Sequence, residues 1–434
     1  MIIRGEYGVA QTEIRRLNLS RMLRELHLCG PQSRSELASN LRLNRSTVAS
    51  LIGDLAGRRL VWEHSRPKSL PQSPGRPSPV VELHRDGPGA LAVELSTDWI
   101  RAAVIGLGGA VVASRRRDHS LADSDPGQVV DELRDLVDPL LNGLDDGPQI
   151  VAIGVSIPGS VRTEDGLLRH APNLGWKDIP IGSLIRERFA DLDVPVFVGN
   201  DADLAASAEH LRGSGRGSND FICLWGEGGI GAGFVVGGRS FGGSAGYAGE
   251  VGHMTVDPDG ELCHCGARGC WEAEVAEGAL LRRSGRDPLG GAVAVADLLA
   301  AADRGDGRAL VALDASGRWL GIGIAALVNI FNPTRVSLGG LFARIFPYVR
   351  GVVLRELDLR VMPAPRAMVE VTTVSLGANA ILLGAAELAL APTLYDPTIF
   401  PPIRRSGTLR ISPMPVVHIS RGGAGIARPK EVEA

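Results

Sequence analysis

The chain has 434 residues, more than one ordinary core organises, and its composition of 44% hydrophobic residues, 4% aromatics and 56 glycines excludes a disordered or fibrous protein and suits a Gly-rich α/β protein. The longest apolar run, Gly321 to Phe331, falls short of a membrane span, and the opening MIIRGEYGVAQTEIRRL has no signal-peptide core, so a cytoplasmic protein is expected. The net charge of −3 divides unevenly: residues 1–80 hold 13 Lys+Arg against 6 Asp+Glu, a balance of +7 that leaves −10 for the rest, as expected if only the head meets a phosphate backbone.

In chain order, Leu19, Met22, Leu23 and Leu26 recur at helical spacing until Gly30-Pro31 ends the helix. Ser33 and Glu36 have the spacing of a capping box, opening a second helix that buries Leu37 and Leu41. Asn44 then caps a third helix, whose apolar stripe is Val48, Leu51, Ile52 and Leu55. Its other face starts with Arg45, Ser46, Thr47 and Ser50. This is helix-turn-helix spacing, in which the second helix of the pair enters the major groove. Leu60 to Glu63 reads as a strand, His64 to Ser78 as a Pro/Ser/Arg loop and Val80 to Leu83 as the returning strand. Such a hairpin is a wing, with Arg66, Lys68 and Arg76 along it. A winged helix-turn-helix DNA-binding domain over residues 1–85 is therefore expected, contacting double-stranded DNA through Ser35, Arg45, Ser46, Thr47, Ser50 and Arg76.

Beyond a short linker at Arg85 to Gly89, strand-like segments Ala90 to Leu95, Ile100 to Ile105 and Ala110 to Ser114 precede a helix over Gln128 to Leu141 and a strand over Ile150 to Ser156. Further strands are expected at Val194 to Val198, Phe221 to Trp225 and Ala232 to Val236. Mixed strands and helices in this order suggest a two-lobed α/β body over residues 88–391 with a ligand cleft between the lobes. Residues 392–434, rich in Pro, Arg and Gly, read as a partly disordered tail.

Three of the five cysteines fall within eight residues. His253, Cys263, Cys265 and Cys270 offer one imidazole and three thiolates, a closed set suited to structural Zn²⁺ with no open position for a reactive water. His264, flanked by two ligands, should point elsewhere. Cys29 and Cys223 read as small core residues. A dispersed polar set, Asn173, Asn200, Asp201, Glu250, His253 and Glu272, suits a hydroxyl-rich ligand, although Asn200 and Asp201 could equally cap a helix from Ala202 to His210. A zinc-bound His253 would keep its second ring nitrogen for a ligand hydroxyl.

Several runs together resemble the ROK family (repressors, open reading frames, kinases). They are Gly154-Val155-Ser156-Ile157-Pro158-Gly159, Asn173-Leu174-Gly175-Trp176, Asn200-Asp201-Ala202, Gly226 to Gly233, Ala248 to His253, Cys263 to Glu272 and Gly339-Gly340. The whole chain is similar to the family's transcriptional-regulator branch. The resemblance implies an actin-like two-lobed sugar-kinase fold, a zinc-stiffened sugar pocket and a homodimer or homotetramer. It implies sugar contacts from Asn200, Asp201, Glu250, His253 and Glu272, with Asp201 the general base in the kinases.

The chain departs from the kinase pattern at both phosphate loops. Where family kinases have Asp-x-Gly-Gly-Thr-Lys it has Glu94-Leu95-Ser96-Thr97-Asp98-Trp99, and Glu227 stands between glycines in Gly226-Glu227-Gly228. Phosphate binding needs close backbone approach and positive or neutral surroundings, so kinase activity is not expected and Asp201 becomes a vestigial base. The rival expectations are a DNA-binding protein with a vestigial pocket, and a weak sugar kinase with a DNA-binding head in which Glu94 serves magnesium and Gly339-Gly340 cradles adenosine. The favoured reading is a sugar-responsive regulator of carbohydrate genes, its dimer on a palindromic operator.

Overall fold

The computed structural model describes residues 4–64, 79–144 and 147–401. The head opens with α1 (Arg4–Cys29), which ends where Gly30 adopts a positive φ of 76°. A two-residue strand β1 (Gln32–Ser33) leads into α2 (Arg34–Leu41). The capping box is reciprocal: Glu36 N donates to Ser33 Oγ at 3.2 Å, and Ser33 N donates to the Glu36 carboxylate at 2.7 Å. Arg42 then turns the chain in the left-handed conformation, and Asn44 caps α3 (Arg45–Gly57) by accepting from Thr47 N at 2.8 Å. Val48, Leu51, Ile52 and Leu55 are all buried, as the stripe required. Strands β2 (Val61–His64) and β3 (Val80–Leu83) pair antiparallel from Val61↔Leu83 to His64↔Val80, with β1 on the far side of β3. The expected tip of this hairpin, Arg76 included, lies outside the described residues.

The body begins with an antiparallel meander, β4 (Pro88–Leu95), β5 (Trp99–Gly106) and β6 (Val111–Asp118), followed by α4 (Pro126–Asn142) and β7 (Gln149–Ile157). A small sheet of β8 (Ser160–Arg162), β9 (Leu167–Ala171) and β10 (Trp176–Ile179) intervenes before α5 (Ile181–Arg188), β11 (Val196–Asn200) and α6 (Asp201–Arg212). A second meander, β12 (Phe221–Gly226), β13 (Ile230–Val236) and β14 (Arg239–Ser240), precedes α7 (Trp271–Val275), α8 (Glu277–Arg283), α9 (Gly291–Asp303) and α10 (Gly307–Phe331). The chain finishes with β15 (Arg335–Gly340), α11 (Leu341–Arg360), α12 (Pro363–Met368), β16 (Glu370–Thr373) and α13 (Ala380–Tyr395).

The two five-stranded sheets run β11-β7-β4-β5-β6 and β14-β13-β12-β15-β16. Each is a meander whose first strand takes a parallel partner, which in turn takes another, so one topology is used twice. The expected two-lobed α/β fold is present. The helices that follow each sheet cross over: α6 packs on β12 and β13 of the second lobe, and α13 packs on β4 and β7 of the first. Both crossings depend on glycine. A Cβ at Gly154 would strike the Ala385 carbonyl, and one at Gly233 would strike Ala206 and the Ala202 carbonyl.

The head does not sit on a loose tether. One buried apolar cluster runs from Leu19, Met22, Leu23 and Leu26 of α1 through Val48 and Leu55 of α3 to Ala92, Ile105, Leu390, Leu394 and Phe400 of the body. Ser20 Oγ adds a buried hydrogen bond to Leu394 O at 2.7 Å.

Two expectations need correction, and a third gains detail. Cys29 is exposed, with Arg216 Nη2 3.4 Å from its sulfur, because the helix end carries it out of the core; Cys223 is buried as expected. The start of the 392–434 segment is placed: α13 reaches Tyr395 and Phe400 is buried against the head–body core. The proline-rich segment from 402 onward lies outside the described residues. The apolar stretches are longer than the run read from sequence: α10 and the helical segment Gly377–Tyr395 are long and apolar enough to cross a membrane. Both are mainly buried core helices, 61% and 67% buried, and interruption by Asp314 and Arg318 is what shortens the contiguous run in α10.

Candidate functional site

The cleft between the lobes is lined from the first lobe by Ser96, Thr97, Gly159, Ser160, Asn173 and Asn200, and from the second by Glu227 to Ala232, Glu250, His253 and Glu272. Asp201, the first residue of α6, faces it as well. All six expected sugar residues therefore converge on one cavity. An adjoining open cavity of about 690 Å³ extends past Asn173 to His170, Lys177 and His264.

Asn200 proves to be tied to backbone. Its Oδ1 accepts from Ala202 N at 2.9 Å and Asp203 N at 3.1 Å, and its Nδ2 donates to Gly159 O at 3.1 Å. Of the two roles considered from sequence the helix cap is present, and the same side chain also ties the lining loop at Gly159 to α6. Asp201 Oδ1 accepts from Ala202 N at 2.8 Å. Burial lifts its carboxyl to about 6, against the pull of that backbone bond and with the Glu94 charge adding to the rise. Glu250 accepts from Ser160 Oγ, and Glu272 Oε2 accepts from Ile230 N at 3.0 Å, which leaves each carboxylate further acceptor capacity.

The cysteine loop brings its four donors together. The ligand atoms of His253, Cys263, Cys265 and Cys270 all lie within 4.8 Å of one another. Cys265 Sγ and Cys270 Sγ are 3.7 Å apart, and Cys263 Sγ is 3.7 Å from His253 Nδ1. Zn–S bonds of about 2.3 Å at tetrahedral angles separate two sulfurs by about 3.8 Å, so the donor set fits the ion. With Nδ1 turned to the sulfurs, His253 Nε2 points the other way, 3.9 Å from the Glu250 carboxylate. His264 lines the cavity rather than joining the cluster, in keeping with its exclusion as a ligand.

The acids at the two loops that depart from the kinase pattern are engaged internally. Glu94 accepts from Arg101 Nε at 2.9 Å and Trp99 Nε1 at 3.3 Å, and Arg101 goes on to donate to Ala378 O at 2.7 Å. Burial nevertheless raises the Glu94 carboxyl above its usual range, outweighing Arg101. Glu227 accepts from Trp225 Nε1 at 3.1 Å. Burial pushes its carboxyl up to about 8, opposed by that bond and reinforced by Asp201, Glu94 and Asp98. The Trp225 ring packs against Gly339 and Gly340, where a Cβ would meet the indole.

In the head, Ser35, Arg45, Ser46 and Ser50 are exposed and Thr47 is half-buried. Ser46 Oγ donates to Asn44 Oδ1 at 2.8 Å, and Ser50 Oγ accepts from Arg15 Nη2 at 2.9 Å. Sequence reasoning did not single out Ser160 or Trp225. Ser160 directly follows the Pro158-Gly159 run and was within reach of that motif, whereas nothing local marks Trp225 as the partner of Glu227.

Comparison with known proteins matches the ROK family model to residues 90–391. The xylose repressor of Bacillus spizizenii is 30% identical over 381 residues, covering 88% of this chain and 96% of its own. The glucokinase of Streptomyces coelicolor is 29% identical over 320 residues, covering 70% of this chain and 98% of its own. Among solved structures, a ROK family transcriptional regulator, a homologue of the E. coli MLC protein, superposes with a TM-score of 0.72 at 26% identity, covering 88% of this chain and 97% of that one. A glucokinase from Streptomyces griseus, in complex with glucose and AMPPNP, gives 0.60 at 28% identity, covering 70% and 99%.

Proposed function

The chain belongs to the ROK family, and from that premise we propose that it is a sugar-responsive DNA-binding transcriptional repressor of carbohydrate genes whose cleft binds effector without phosphorylating it. One observation carries the reading: the matches to repressors and to the regulator structure extend over the head, whereas the kinase matches cover about 70% of the chain and nearly all of the kinase. The head is thus the part that kinases lack.

Recognition of DNA is assigned to the N-terminal face of α3, with Arg45, Ser46, Thr47 and Ser50, helped by Ser35 of α2 and by Arg76 of the wing. A dimer, or a tetramer built from dimers, sets two such faces on a palindromic operator. The effector is a small sugar held by Asn173, Asp201, Glu250, His253 and Glu272, with Asn200 shaping the loop. Xylose and glucose, named in the relatives, are the first candidates. Zinc is assigned to His253, Cys263, Cys265 and Cys270, where it would stiffen the loop and orient His253 Nε2 toward the cleft. A cytoplasmic location follows from this role.

Loss of the kinase reaction is supported by where the charges sit. Glu94 is committed to Arg101 rather than turned toward a phosphate-bound cation, and Glu227 brings acidity to the loop that would face the phosphates. Two measurements test the proposal. Selection from a randomised duplex pool should enrich a palindromic site, and coupled assays with ATP and D-glucose or D-xylose should yield no sugar-dependent ADP. Failure to enrich any site contradicts the regulator reading; turnover abolished by Asp201→Asn contradicts the loss of the kinase.

A further inference from the structure

The seam between head and body contains a buried carboxylate, Glu387 of α13, on which three separate elements converge. His27 Nε2, in the last turn of α1, lies 3.0 and 2.9 Å from its two oxygens. Arg212 Nε, from the last residue of α6, donates to Oε1 at 2.6 Å. Gly108 N donates to His27 Nδ1 at 2.8 Å, and Arg212 Nη2 lies 2.5 Å from His27 Nε2 beside the Glu387 oxygens, so imidazole, guanidinium and carboxylate meet at one point. Arg212 Nη1 also donates to His27 O at 3.1 Å and Gly108 O at 2.9 Å. Although burial opposes its ionisation, the His27 and Arg212 partners hold the Glu387 carboxyl below its usual range.

Arg212 and the effector site are the two ends of one helix. Asn200 caps α6 and Asp201 opens it at the cleft, and the 12 residues to Arg212 span about 18 Å at 1.5 Å each. The helix is seated without slack on both sides. A Cβ at Gly233 of β13 would strike Ala206, and one at Gly384 of α13 would strike the Leu204 backbone. Close-packed interfaces of this kind shift as units rather than absorb a displacement.

We infer that Arg212 is a positioning residue for the regulatory response: through Glu387 and His27 it couples the setting of α6, fixed by ligand at Asp201, to the placement of α1 in the DNA-binding head. This rests on the sugar-responsive reading above. The competing role is a staple that stabilises the seam without transmitting anything, as buried ion pairs can. A coupling measurement separates the two.

The experiment uses the full-length dimer, the duplex enriched by the wild-type protein, and D-xylose and D-glucose as probes. Duplex Kd is measured by fluorescence anisotropy with and without saturating sugar, and sugar Kd by calorimetry. Wild type is expected to show roughly a tenfold ratio between the two duplex affinities. Arg212→Gln and Glu387→Gln should keep sugar affinity and sugar-free duplex affinity within about threefold while the ratio falls toward one. Arg212→Lys, which retains the charge but loses the planar fork to His27 O and Gly108 O, should give an intermediate ratio and covers the case in which Arg212→Gln does not fold. Variants that lower Tm yet keep the wild-type ratio overturn the coupling role and leave a staple. A wild-type ratio of one with both sugars would instead remove the sugar-responsive reading, and this inference with it.

Discussion

Two sets of acids, one lining the cleft with His253 and one at the loops that depart from the kinase pattern, are engaged differently. Around the proposed sugar site, Glu250 meets Ser160 and His253, Glu272 meets Ile230 N and Cys263 Sγ, and both carboxylates keep acceptor capacity for a ligand beside the cysteine cluster. At the loops matching the kinase phosphate sites, Glu94 is bound to Arg101 and Trp99, Glu227 accepts from Trp225, and burial raises both carboxyls. The first set keeps capacity for a guest, whereas the second sets buried acids beside the loops an anion would approach. Under the proposed function this favours binding over group transfer, because phosphoryl transfer depends on groups that neutralise an anion.

The largest expected effect comes from the metal cluster. Cys265→Ser should reduce zinc from one per chain to near zero by elemental analysis and abolish sugar binding, since structural zinc contributes on the order of 10 kcal/mol where it organises a fold. Sugar binding that survived full metal loss would detach the proposed sugar site from the cluster. Next, Leu23→Ala in the core shared by head and body should cost about 2–5 kcal/mol. Calorimetry should show head and body unfolding in one transition, and an independent head transition would break the shared core into two.

The second set of acids yields a pH signature. Glu227 has its carboxyl raised from 4.5 to about 8, so its contribution to stability is full below about pH 4.5 and is lost as pH rises through 8. Glu227→Gln should therefore match wild type near pH 4 and exceed it by about 1–3 kcal/mol above pH 8, a discounted figure because the side chain is partly open to the cleft. An unchanged difference across that range would show that the loop does not confine the charge. The smallest effect is expected in the head. Asn44→Ala removes the cap of α3 and should cost about 1 kcal/mol, weakening duplex binding while leaving sugar affinity unchanged.

Much of this was legible from local chemistry. Ser33 with Glu36, and Asn44 before Val48, declared two helix starts because capping needs only neighbours. The metal cluster was legible because three of its four ligands lie within eight residues. The Glu94–Arg101 pair was within reach too, since the two are direct partners in the β4–β5 hairpin. The meeting of His27, Arg212 and Glu387 was not, because partners separated by 185 and 360 residues leave no periodic or spacing signal. The order past Thr393 was hidden for a similar reason: Phe400 is held by the core of the head, not by anything in the proline-rich composition around it.

The central claim is that one folded unit lets a sugar in the cleft control a DNA-binding head. Its most direct test is a fluorescence-anisotropy titration of the enriched duplex with wild-type protein, without sugar and with saturating D-xylose or D-glucose. One of the two sugars is expected to change the duplex Kd by about tenfold, with no ATP present. Identical binding curves under all three conditions would contradict it.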